Sequence, residues 1–182
     1  MIFRATQKVS SKLGVAYTDI SDSPSMVEWY CNLITVRRRQ FFLFTHAASL
    51  FSFWTPAAGS TRKEFGVMFR RRATETLRQY EFSETDTSNV LDDGPDVFAR
   101  ATDRRIIGSM VDFGKMLRHA VDHEGGLEHL PRRAMNDIAN ESPMSKIGME
   151  NPAEYLRQVL RHERPHSIVM HRTGARVARS GR

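Results

Sequence analysis

The chain has 182 residues, 40% hydrophobic and 26% charged, which bounds it to one ordinary globular domain able to bury a core without staples. A single cysteine, Cys31, excludes an internal disulfide and any CxxC metal or redox pair, and predicts a reducing, intracellular setting. The net charge of +6 does not describe the body of the chain: residues 1–163 carry 22 basic and 21 acidic side chains, whereas 164–182 carry five arginines and no acid.

In chain order, Ile2 to Ala5 reads as a strand, and residues 7–13 as a short helix with Val9 and Leu13 on one face and Gly14 as its stop. Residues 15–25 read as a loop. Glu28 to Val36, a turn at Arg37-Arg38-Arg39, Gln40 to His46, and Leu50 to Trp54 read as an antiparallel meander apolar on both faces. The uncharged run from Gln40 to Thr61 is long enough to cross a membrane. Its Thr, Ser, His, Pro and Gly residues break the apolar run, so it reads as buried strands and no membrane association is expected.

Thr61 to Tyr80 has Phe65, Phe69, Ala73 and Leu77 at helical spacing, with Arg72 on the same stripe. Residues 83–95, acidic and polar with a Gly-Pro, read as a loop, and 97–102 as a further strand. Arg104 to His123 is the second long helix, with Ile106, Met110, Phe113, Leu117 and Val121 on one stripe. A helix follows Pro131, a loop spans 140–148, and a last helix runs from Pro152 to about His162. Together these predict an α+β domain over 1–163: an antiparallel or mixed sheet covered by two long helices, with a helical C-terminal part. Residues 164–182 read as a basic, disordered tail.

Five pieces are characteristic in order and spacing. They are Met1-Ile2-Phe3-Arg4-Ala5-Thr6-Gln7-Lys8; Trp29-Tyr30-Cys31-Asn32-Leu33; Phe42-Leu43-Phe44-Thr45 with Leu50-Phe51-Ser52; Ala101-Thr102, Arg105 and Gly108 to Phe113; and Asn140-Glu141-Ser142-Pro143-Met144. Over about residues 1–150 the chain resembles a bacterial family filed as a domain of unknown function, number 6933. The resemblance implies a shared fold and a shared site, and brings no reaction with it. Two places depart from the family's pattern: His46 stands where Asn is usual, and Arg104-Arg105-Ile106 where Asn-Arg-Ser is usual.

Three functional readings follow. The first is a binding or interaction module with an anion-accepting polar pocket. Arg105, Ser109 and Asp112 share a stripe near a helix start, Thr102 precedes them, and Asn32, Arg38 and Asn140 are candidate companions for an acidic or nucleotide-like ligand. The second is a metal-dependent hydrolase of nucleotides or phosphodiesters, with Asp112, His119 and His123 at helical spacing as ligands. The third is nucleic-acid association through the arginines of 164–182. No Ser-His-Asp order, Walker motif, GxGxxG or HExxH is present, so whether the protein is an enzyme is left open and no cofactor is expected. Cys31, between Trp29 and Leu33, reads as a buried apolar residue.

Overall fold

A computed structural model describes residues 1–20 and 25–163. The elements are β1 (Ile2–Ala5), α1 (Gln7–Leu13), β2 (Glu28–Val36), β3 (Arg39–His46), β4 (Ser52–Pro56), α2 (Arg62–Gln79), α3 (Glu84–Val90), β5 (Val97–Arg100), α4 (Arg104–His123), α5 (Arg132–Asn140) and α6 (Pro152–Glu163). The expected α+β architecture is present, and the sheet is mixed. Its five strands lie in the order β4-β3-β2-β1-β5; β2, β3 and β4 pair antiparallel, and β1 runs parallel to both β2 and β5.

Alternation along β2 sorts its side chains into two layers. Trp29, Cys31 and Leu33 join a core with α1 and α2, while Tyr30, Ile34 and Val36 join one with α4 and α5. Phe69 of α2 sits among the rings of Phe3, Trp29, Phe44 and Phe53, with centroids 4.9–5.6 Å away. On the other face α4 comes close to β2 at Gly114, where an added Cβ would stand 3.2 Å from Ile34 Cγ2. Cys31 of β2 is fully buried in the core with α1 and α2, which pushes its thiol well above its ordinary range.

Three boundaries depart from the sequence expectation. Residues 84–90, expected as loop, form α3. Ser83 Oγ accepts from the Asp86 N–H while the Asp86 side chain accepts from the Ser83 N–H, so a capping box starts a helix that buries little beyond Val90. The third strand lies at 52–56 instead of 50–54, and β5 ends at Arg100, two residues before Thr102. At the β2–β3 hairpin Arg37 and Arg38 both have positive φ (45° and 65°), as a two-residue turn matched to strand twist requires. Among the described residues no helix is long and apolar enough to cross a membrane. The tail at 164–182, and the nucleic-acid reading that rests on it, lie outside the described residues.

Candidate functional site

β1 and β5 are parallel neighbours, yet the helices that follow them pack on opposite faces: Val9 and Leu13 of α1 enter one core, Ile106 and Met110 of α4 the other. Such a divergence opens a crevice near the carboxyl ends of the two strands. A hollow of about 510 Å³ lies on the α4 side of the sheet, between the link from β5 into α4 and the amino end of β2. β1 and β2 contribute Arg4, Glu28 and Tyr30; the link into α4 contributes Thr102 and Asp103, and its first turn Ile106; Lys146 comes from the turn before α6. Met26, Ala47, Ala48 and Val159 complete an apolar side.

The parallel register sets Arg4 beside Tyr30, with Glu28 two pairs back and so on the same face. Arg4 Nε donates to Glu28 Oε1 at 2.9 Å, and the two side chains are only 5% and 8% exposed. A second pair joins Lys146 Nζ to Asp103 Oδ2 at 3.4 Å. Asp103 also caps α4: its Oδ1 accepts from the N–H groups of Arg105 (2.7 Å) and Ile106 (3.3 Å). Burial pushes this carboxyl up, but those two bonds and Lys146 outweigh it and hold it below its ordinary value. The helix start is therefore already supplied with a negative group. Tyr30 Oη accepts from the Asp103 N–H at 3.4 Å, and burial raises its pKa, so the phenol keeps its proton at neutral pH.

A second hollow, of about 360 Å³, borders the first and shares Arg4 and Thr102 with it. It lies over β5, lined also by Tyr17, Thr18, Asp19, Ala99 and Arg100. The Thr18 N–H donates to Phe98 O at 2.7 Å, which ties this segment to β5. The Arg100 guanidinium carbon lies 5.3 Å from the Tyr17 ring centroid, and the buried Tyr17 hydroxyl has no hydrogen-bond partner.

The seven residues expected to form one pocket do not gather; of them, Thr102 lines the hollows. Arg105 is exposed, Ser109 Oγ turns back to donate to Arg105 O at 3.1 Å, and Asp112 pairs in solvent with Lys115 at 2.9 Å. Asn32 is buried: its Oδ1 accepts from Thr6 Oγ1 (3.0 Å) and the Leu33 N–H (2.9 Å), fastening β2 to the start of α1. Arg38 stands exposed at the hairpin tip. Asn140 is held by β4, with Oδ1 accepting from the Ser52 N–H and Nδ2 donating to Ser52 O, both at 2.7 Å. Asp112, His119 and His123 span eleven residues of helix, a rise of about 16 Å, too far for one ion. Among the described residues no three His, Cys, Asp or Glu side chains come together to hold a metal. Arg72 meets Glu75 at 2.6 Å.

Sequence reasoning missed Arg4, Glu28, Tyr30, Asp103 and Lys146. One signal was available: a charged residue at an inward position of the otherwise apolar Ile2-Phe3-Arg4-Ala5, and another opening the apolar β2, both need partners if buried.

His46 braces the apolar side of the larger hollow. Its Nε2 lies 2.9 Å from the carbonyl of Met26, which can only accept, so Nε2 carries the proton and Nδ1 accepts from Ser49 Oγ at 2.9 Å. Burial lowers its pKa from 6.5 to about 4. With the folded value depressed, the unfolded chain takes up the proton first as pH falls. The stability from neutral His46 is complete above pH 6.5 and is lost as pH falls toward 4, by about 3 kcal/mol. Urea unfolding of wild type and His46→Asn at pH 7 and pH 4 should show the smaller pH dependence in the variant; equal slopes would show that His46 is not the group that titrates.

A family model described as a domain of unknown function (DUF6933) matches residues 2–155. No curated protein matches the chain.

Proposed function

The chain belongs to the DUF6933 family of domains of unknown function, and on that premise we propose that residues 1–163 act as one small intracellular bacterial domain that binds an organic molecule in the larger hollow. The observation that carries this reading is the buried Arg4–Glu28 pair lining a 510 Å³ cavity. A hollow of this size suits a small organic ligand, and apolar walls with a few convergent polar groups are the usual composition of such sites. A charged pair in the sheet costs desolvation and is a poor way to gain stability alone.

Among the described residues, the two cations that line the larger hollow are each matched by a carboxylate, Arg4 by Glu28 and Lys146 by Asp103. That balance favours a neutral or singly charged ligand over the nucleotide-like one expected from the arginines. The Tyr30 hydroxyl and Thr102 offer hydrogen bonds, and Met26, Ala47 and Ile106 offer apolar contact.

A titration of the ¹⁵N-labelled full chain with pools of small polar metabolites tests the reading. Shifts should cluster at Arg4, Glu28, Thr102 and Ile106, and should vanish in Ala48→Trp, which fills the hollow. Shifts that persist in Ala48→Trp, or that map to the outer face of α4, would refute it.

A further inference from the structure

We propose that the smaller hollow over β5 is the second half of the same binding site and receives one carboxylate group of a ligand whose uncharged body lies in the larger hollow. This rests on the binding reading above and adds the ligand's chemical class.

Four observations converge. The hollows share Arg4 and Thr102, so a ligand lying across Arg4 enters both. Tyr17 lines the smaller one and its hydroxyl is buried without a hydrogen-bond partner, so an acceptor brought by a ligand would satisfy an orphaned donor. Arg100 has no ion-pair partner among the described carboxylates; the Tyr17 ring 5.3 Å away engages its guanidinium carbon, leaving the N–H edge for a bidentate acceptor. The start of α4, the other natural seat for an anion, is already occupied by the Asp103 carboxylate.

The charge of the group also follows. Asp19 lines the same hollow as Arg100. A dianion such as a phosphate would meet this carboxylate with, among the described residues, a single unmatched cation in reach. A carboxylate asks for less: one guanidinium edge, the Tyr17 hydroxyl and the Thr102 hydroxyl satisfy its two oxygens. Met26, Ala47, Ala48, Ile106 and Val159 then suit an apolar body, and Tyr30 a polar group along it. The expected class is an elongated monocarboxylate of the N-acyl amino acid type.

Calorimetric titration of the full chain with N-acetyl-L-leucine and N-acetyl-L-leucinamide, probes of equal shape that differ by the charge, tests this. The acid should bind about tenfold or more tightly than the amide. Tyr17→Phe and Arg100→Gln should each weaken the acid about fivefold or more and leave the amide unchanged. Tyr17→Phe should also leave the ligand-free melting temperature unchanged or higher, because it deletes an unpaired hydroxyl. Equal binding of acid and amide, or acid binding indifferent to Tyr17→Phe, overturns the carboxylate assignment while leaving the larger hollow as a binding site. Binding of neither probe overturns the assignment, and the binding reading falls with it only if the metabolite titration is silent too.

Discussion

Replacing Glu28 with alanine lowers the unfolding free energy by about 3–5 kcal/mol. The reason lies in the parallel half of the sheet. β1 and β2 hold Arg4 and Glu28 side by side with side chains 5% and 8% exposed, so water screens their 2.9 Å contact little. Alanine removes the carboxylate that accepts from Arg4 Nε and leaves that N–H facing a desolvated site. Urea unfolding at pH 7 measures the loss; a change under about 1 kcal/mol would mean that the pair behaves as an exposed one. The double variant Arg4→Met with Glu28→Leu separates stability from function. It should regain most of the loss, since apolar side chains of similar volume replace a buried pair at little cost. It should still fail to bind in the metabolite titration. Recovery of stability together with loss of binding is the signature of a pair kept for a ligand.

The fold was legible where periodicity was strong. β2 spans Glu28–Val36 and α4 spans Arg104–His123 because a run of aromatic and β-branched residues in the one, and a helical apolar stripe in the other, persist over enough residues to mark both ends. The order β4-β3-β2-β1-β5 was not legible, because the parallel pairing of β1 with β2 and β5 depends on contacts between residues tens of positions apart. α3 was missed because its helix signal is the Ser83–Asp86 capping box and not an apolar stripe. The site divides in the same way. Thr102 was legible from its place between a strand and a helix. Arg4 and Glu28 were not, because only the register Ile2↔Glu28 and Arg4↔Tyr30 brings them together. Asn32 and Asn140 are polar residues whose partners are backbone groups, and no spacing rule separates such a residue from one that awaits a ligand.

Asn140→Ala should cost about 1–3 kcal/mol for each of two backbone groups it leaves unpaired. β4 is an edge strand, and α5 lies along its free side. Asn136 and Asn140 are four residues apart on α5, a rise of about 6 Å. Ser52 and Trp54 are two apart on β4, about 6.6 Å. The near match lets consecutive helix turns meet consecutive outward-facing strand residues. Asn140 accepts from the Ser52 N–H and donates to its carbonyl, both at 2.7 Å, as a neighbouring strand would. Asn136 accepts from the Trp54 N–H at 3.1 Å, but its own Nδ2 is buried without a partner. Asn136→Ala should therefore cost less than Asn140→Ala; urea midpoints in the reverse order would contradict this account. Asn140→Asp is the sharper variant. It keeps an acceptor for the Ser52 N–H but sets a carboxylate against the Ser52 carbonyl, so it should be less stable than Asn140→Ala at pH 7. A protonated acid can donate where the carboxylate cannot. Burial raises the folded pKa of the new group above its unfolded value, so Asn140→Asp should recover relative to Asn140→Ala as pH falls. Because an unpaired strand edge also templates association, both variants should aggregate at lower concentration than wild type, as light scattering would record.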